Sequence, residues 1–367
     1  MCTYNYVLIR MIAWSQVNEL SSYPVRVWAI ATSDRWISLC EALREYDLPL
    51  HRLVLAEERK WELISALQKS IRRGDKGMAL RLLSAVSNMP EEYAYIWRRL
   101  CVIACEDIGP ADDVLASFVV ACATVFPPQK TGRDNLRIFS FLVEQMCDLP
   151  ARSRIYCSCG LIEPAAIKNE LPKLTLKEEL IVSGILQNRE AVQAPENCWR
   201  QWQKKNDWRA EGLLRYVGLR LPFEMIPIGG TAPQSRVLFD LPSYCYDMHT
   251  RVGLKALQRL VRGAAGAEDI RDFFQQNAIR NAHRALGTAL FYEEGGRIRG
   301  ELIYEPLCGL EQRLCAHQYG MDAERWLQMR GLVQKALAEG VIDRVREEVL
   351  RQHYGQDKLQ LIATEGV

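Results

Sequence analysis

Between Glu57 and Pro128 the chain is punctuated as an unbroken succession of helices. One amphipathic run reaches Arg73, where Gly74-Asp75 breaks it and Asp75 offers an N-cap to a second run ending near Ser87. Asn88-Met89-Pro90-Glu91-Glu92 starts a third. Proline suits a first helical turn because its missing N–H would be unpaired there, and the two glutamates complement the helix dipole. That helix runs to Asp107 and stops at Gly109-Pro110. Asp112 and Asp113 open the next, whose apolar stretch from Val114 to Phe126 ends at Pro127-Pro128. At 13 residues the stretch is too short to span a bilayer and reads as a helix buried on most sides. Further helical patterns cover about Asp134 to Cys147 and Thr175 to Arg189, so the fold class expected is mainly α.

The chain's 367 residues, 49% of them hydrophobic, suffice for about two domains of ordinary size. Residues 1–56 form a small N-terminal segment with a strand pattern, "VRVWAIAT", and a helix around "RWISLCEALREY". Residues 57–221 make a helical lobe. Four prolines and an adjacent glycine pair interrupt every period between Pro222 and Pro242, which marks 222–245 as the linker. Residues 246–367 make a second, mostly helical lobe that opens with "YDMHTRVGLKALQRLVRG". Within it, "LFYEEGGRIRGELIY" carries Gly295-Gly296 between apolar flanks and predicts a β-hairpin.

A formal charge of +2, from 47 basic and 45 acidic residues, excludes a global electrostatic grip on nucleic acid or anionic membrane and leaves only local patches. The 12 cysteines are scattered through helical patterns without framework spacing, and "MCTYNYVLIRMIAWSQ" lacks the basic start and cleavage site of a secretory signal, so a reduced, cytoplasmic chain is expected. Neither G-x-x-x-x-G-K-[ST] nor G-x-G-x-x-G occurs, which argues against an ATPase engine. No cofactor is expected.

Residues 61 to about 160 resemble the C-terminal helical region of the replication-associated recombination protein A family, the AAA+ ATPases that include the eukaryotic Werner-helicase-interacting ATPase. The resemblance rests on "ELISALQKSIRRGDKGMALRLLSAV", on "IWRRLCVIACEDIGPAD" at the family's RR-L-x-x-x-A-x-EDIG-x-AD position, and on "SRIYCSCGLI". In that family the region follows the motor and forms an oligomerisation and DNA-associated module, acting at stalled forks or recombination intermediates. The resemblance therefore implies a role in DNA replication, recombination or repair, with DNA, replication or recombination proteins, or further copies of the chain as partners. The motor itself has no counterpart here, so ATP-driven activity does not carry over.

Glu106 and Asp107 of this signature stand at a helix C-terminus, where carboxylates cost roughly 0.3–1 kcal/mol each unless something compensates. Fixed partners are expected, and the signature Glu106, Asp107, Gly109 is read as a structural clasp. Its donors would be the N–H groups at Ala111 to Val114, or Arg72, Arg73, Arg98 and Arg99.

Two basic clusters are candidate nucleic-acid contacts. Lys69, Arg72, Arg73 and Lys76, with Arg81 beyond, straddle a helix break whose amides could add phosphate contacts, although a solvated polar face would look the same. Arg251, Lys255, Arg259 and Arg262 are spaced 4, 4 and 3 apart and form one stripe. Like charges so placed repel by roughly 0.2–0.5 kcal/mol per pair, which points either to an anionic partner such as the DNA backbone or to acids elsewhere in the chain. The stripe lacks the aromatic anchors of a membrane-surface helix, and no membrane partner is expected. Trp199, Trp202 and Trp208 alternate with Arg200, Lys204, Lys205 and Arg209 and fit either base stacking or a core. Cys101, Cys105, Cys157 and Cys159 would hold zinc only if all converged; they read as buried thiols, and no metal is expected. Asp247, His249, His283 and Glu293 are the residues around which a rival, nucleic-acid-processing enzyme would be built, and a module that joins a related ATPase oligomer is the remaining alternative. Nothing pairs these histidines with a nucleophile, so no catalytic residue is assigned.

Overall fold

The computed structural model describes residues 34–47, 59–86, 93–125, 132–187, 226–228 and 235–355. The protein is mainly α. Among the described residues the α-helices are α1 (Asp34–Glu45), α2 (Lys60–Arg73), α3 (Lys76–Val86), α4 (Tyr93–Ile103), α5 (Asp113–Val125), α6 (Gly132–Asp148), α7 (Ile155–Ile167), α8 (Leu176–Gln187), α9 (Arg251–Arg262), α10 (Glu268–Asn277), α11 (Ala282–Leu290), α12 (Glu305–Gln318), α13 (Ala323–Ala338) and α14 (Val341–Tyr354). Two short antiparallel ribbons accompany them: β1 (Ile226–Ile228) with β4 (Glu301–Ile303), and β2 (Val237–Leu238) with β3 (Leu241–Pro242). Among the described residues no helix is long and apolar enough to cross a membrane.

The helix boundaries follow the chain's own punctuation. Gly74, at φ 65°, ends α2 and donates to the Ile71 carbonyl, and the Asp75 carboxylate then accepts from Met78 N–H at 3.1 Å to open α3. Asp112 opens α5 in the same way, accepting from Leu115 N–H at 2.8 Å. The apolar stretch of α5 is buried along Leu115, Ala116, Phe118, Val119 and Val120. In the C-terminal half, Thr250 accepts from Gly253 N–H to cap α9, and Gly263 at φ 93° ends it.

Helix α2 is the central strut. It packs against α3 and α6 on one side and against β3 and the turn Ser243–Cys245 on the other. Helix α9 lies between α14 and α11. The main core runs from Leu63, Leu67 and Phe139 through Tyr244 and Tyr246 to Leu257, Leu260, Val349 and Leu350. A smaller core joins Ile162, Ile181 and Ile185 of α7 and α8 to Leu307, Leu310 and Leu314 of α12. Both cores draw residues from either side of 222–245.

Two sequence expectations change accordingly. Part of the expected linker is packed structure: Leu238, Leu241, Tyr244 and Cys245 are buried, whereas Ile226 and Val237 are exposed and Pro227 sits in a two-stranded ribbon, where a missing N–H leaves no inner ladder broken. Gly295-Gly296 does not turn a hairpin. Phe291–Gly295 widen into a π-helical turn, and β4 pairs instead with β1, Leu302 opposite Pro227. Glycine serves close approach there: a Cβ on Gly296 would lie 2.8 Å from the Phe291 carbonyl oxygen, and one on Gly295 would crowd Lys69 Cε at 3.2 Å and Asp247 Oδ2 at 3.3 Å. The "VRVWAIAT" strand pattern and the Trp199–Trp208 cluster lie outside the described residues.

Close approach also governs Gly253, where an added Cβ would sit 1.9 Å from the Asp247 carbonyl oxygen, a backbone atom that cannot swing aside. Gly253→Ala should therefore lower stability by about 1–3 kcal/mol, read as a drop in the midpoint of urea denaturation, whereas Gly331→Ala, with open space around it, should not lower it.

Candidate functional site

The first basic cluster folds inward. Lys69, Arg72 and Arg73 are 4%, 4% and 8% exposed, so three cations enter the interior on one turn of α2 and each must find a partner. Lys69 Nζ meets Asp247 Oδ2 at 2.8 Å and donates to Ser65 Oγ. Arg72 Nε and Nη2 donate to the two Asp107 oxygens at 2.7 and 3.2 Å, while its Nη1 donates to the Gly295 carbonyl. Arg73 Nη2 donates to the Glu294 carbonyl at 2.6 Å and its guanidinium lies 4.3 Å from the Tyr244 ring centroid. Lys76, nearer the surface, pairs with Glu144 and Asp148. Burial withdraws Lys69, Arg72 and Arg73 from any external phosphate, while Lys76 stays partly exposed between two carboxylates.

The acidic signature explains one of those claims. After α4 the backbone widens into a π-helical turn, Ala104–Ile108, which Gly109 closes by donating to the Ala104 carbonyl. This turns the Asp107 carboxylate into the core, where it meets Arg72 and accepts from Gln68 Nε2 at 3.0 Å. Arg99 in turn donates to Gln68 Oε1. The opposing charge therefore comes from side chains, while the amide at Leu115 is served by Asp112. Arg98 donates to its own helix, at the Ala94 carbonyl.

Glu106 behaves differently from its neighbour. It keeps part of its surface exposed and, among the described residues, makes no hydrogen bond. Burial and the Asp107 charge push its carboxyl up to about 7, with Arg99, Arg72 and Arg154 opposing the rise.

A second buried group surrounds the other π-helical turn. Arg154 donates to the Gly296 carbonyl at 3.1 Å and stacks 4.8 Å from the Phe291 centroid. Glu311 accepts from Tyr292 and Ser158 at 2.6 and 2.7 Å. Glu293 accepts from Arg330 and Gln334, and Arg346 joins Glu294 to Asp343. Burial alone would raise the Asp247 carboxyl, yet Lys69 and His249 hold it well below the usual carboxylate range. Sequence reasoning missed Gln68, Arg154, Glu311 and Arg346, whose partners, apart from Asp343, lie tens of residues or more away along the chain.

The second basic cluster stays outside. Arg251, Lys255 and Arg262 are exposed on α9, and among the described residues only Arg259 of the four meets a carboxylate, Glu348 at 3.7 Å, while also donating to Gln352. Lys255 meets His353 Nδ1 at 3.2 Å.

No family model, curated protein or solved structure matches the chain. The site's chemistry is thus read from its geometry. His249 Nδ1 lies 3.0 Å from Asp247 Oδ2, but no bond joins either to His283, and Glu293 is held by its arginines. Cys101, Cys105 and Cys159 are buried and Cys157 half-buried, all as free thiols, and burial pushes the Cys157 thiol up to about 11. Among the described residues no group of three or more His, Cys, Asp or Glu side chains could hold a metal ion.

Removing one partner from a buried ion pair strands the other, so Asp107→Ala should cost about 3–5 kcal/mol in chemical denaturation. Glu106 has the opposite sign. Its folded carboxyl holds a proton more tightly than the ordinary value of 4.5 allows, so its share of stability is present below pH 4.5 and lost as pH rises through about 7. Glu106→Gln should remove that part of the pH dependence and raise stability at pH 8, by about 1–2 kcal/mol once partial exposure is allowed for.

Proposed function

We propose that the protein is a non-catalytic accessory or scaffold in DNA replication, recombination or repair, holding DNA or a DNA-bound partner through the outer face of α9. The observation that carries this is the contrast between the two basic clusters. The cations of α2 are neutralised inside the fold, whereas Arg251, Lys255 and Arg262 stand exposed in one stripe with no carboxylate within ion-pair distance among the described residues. A helix that keeps mutually repelling charges at i, i+4 and i, i+3 gains most when an anion lies along it. Phosphates contacted in this way fix position without reading sequence. The resemblance of the α2 to α7 region to the recombination-ATPase family, with its acidic signature seated on Arg72, supports the same setting.

Replacing Arg251, Lys255 or Arg262 by alanine should weaken binding about equally across DNA sequences. Each loss should reduce the magnitude of the log-affinity against log-salt slope by roughly 0.7–0.9. Fluorescence anisotropy across a salt series measures both. Unaltered affinity and slope in the triple variant would overturn the proposal and favour a protein-binding face.

A further inference from the structure

One exposed aromatic group has no use inside the fold. Trp61, in the first turn of α2, is 53% exposed, an unusual placement for the largest apolar side chain. Its indole meets Tyr95 of α4 edge to face, with centroids 5.8 Å apart and planes at 88°. Lys60 Nζ lies 5.2 Å from the Trp61 centroid and 5.5 Å from that of Tyr95, and the Arg98 guanidinium lies 5.6 Å from Tyr95. The result is an open ring edged by two cations.

Packing connects the α2 turn that carries Trp61 to the stripe on α9. Lys255 touches His353, whose ring packs 4.7 Å from Tyr354. Tyr354 donates to Glu62 Oε1 at 2.9 Å and lies 5.9 Å from the Arg59 guanidinium, which places the end of α14 against the buried side of the first turn of α2, the turn whose exposed side carries Trp61. A chain of contacts thus leads from the exposed Lys255 through His353, Tyr354 and Glu62 to the turn of α2 that carries the exposed indole.

Resting on the phosphate-contact reading of α9, we propose that Trp61, with Tyr95, stacks an unpaired base of a single-stranded nucleic acid whose backbone runs along α9. The chemistry selects this ligand. An indole face offers a base the same π-surface another base would, whatever the sequence, while Lys60 and Arg98 complement the flanking phosphates. In a duplex the bases are already stacked and paired, so the platform adds nothing for it. The preference for single strands therefore resides in Trp61 and the electrostatic grip in α9.

Anisotropy titrations of the full chain with labelled oligodeoxythymidylate and with a blunt duplex test this. Stacking on an aromatic side chain contributes a factor of roughly 5–150 per base. Trp61→Ala should therefore weaken oligodeoxythymidylate binding by about that factor and leave duplex affinity unchanged. Trp61→Phe should restore most of the loss, and circular dichroism melts should match wild type because the side chain is half exposed. Alanine at Lys255 and Arg262 should weaken both ligands. Wild-type affinity of Trp61→Ala for the single strand, or an equal loss on both ligands, overturns the stacking proposal. If binding depends on Trp61 but not on the stripe, the backbone reading fails alone. Absence of wild-type binding to either probe refutes both.

Discussion

Three cations near the C-terminal end of α2, Lys69, Arg72 and Arg73, point into the protein rather than out of it, and the arrangement of the two halves depends on how they are satisfied. Lys69 requires Asp247, Arg72 requires Asp107 and the Gly295 carbonyl, and Arg73 requires the Glu294 carbonyl. A single helix from the N-terminal half is thus bonded to a loop before α9 and to a π-helical turn after α11. Desolvating such charges costs several kcal/mol per ion, and the loss is recovered only with near-complete hydrogen bonding. Glycine at 295 fits this requirement, since a side chain there would crowd the Lys69–Asp247 pair.

This internal use of charge separates the two basic clusters physically. Buried cations fix one geometry and are shielded from salt and ligand alike. Cations on α9 remain solvated, keep their mutual repulsion, and are available to an anion. A near-neutral chain can still present a basic face where cations are segregated along one helix. Trp61, half exposed against Tyr95, stands on the first turn of α2, whose buried side meets the end of α14.

The helices were legible because their ends are written in residues with local mechanisms. Gly74, Asp75, Asp112, Thr250 and Gly263 stop or start helices where they fall. What local pattern could not convey was direction. Lys69, Arg72 and Arg73 look like a solvent-facing patch, since cations usually face water, but the end of α2 is enclosed on every side and periodicity carries no information there. Arg72 had two readings, phosphate contact and partner to the acidic signature, and the geometry selects the second. Glu106 and Asp107 are adjacent and chemically alike, yet the π-helical turn sends one to Arg72 and leaves the other without a hydrogen bond. Gly295-Gly296 misled for a related reason: glycine serves close packing as well as turns, and only the long-range neighbour Lys69 distinguishes the two uses.

The central claim is that charges on α2 join the halves of the fold, and a double-mutant cycle on Lys69 and Asp247 tests it most directly. Lys69→Met keeps the stem and removes the charge, and Asp247→Asn keeps an oxygen for the His249 N–H. Chemical denaturation of the wild type, both single variants and the double should give a coupling energy of about 1–3 kcal/mol, with the double variant losing clearly less than the sum of the singles. Losses that add to within about 0.3–0.5 kcal/mol would mean that the pair is not coupled, and would contradict the account.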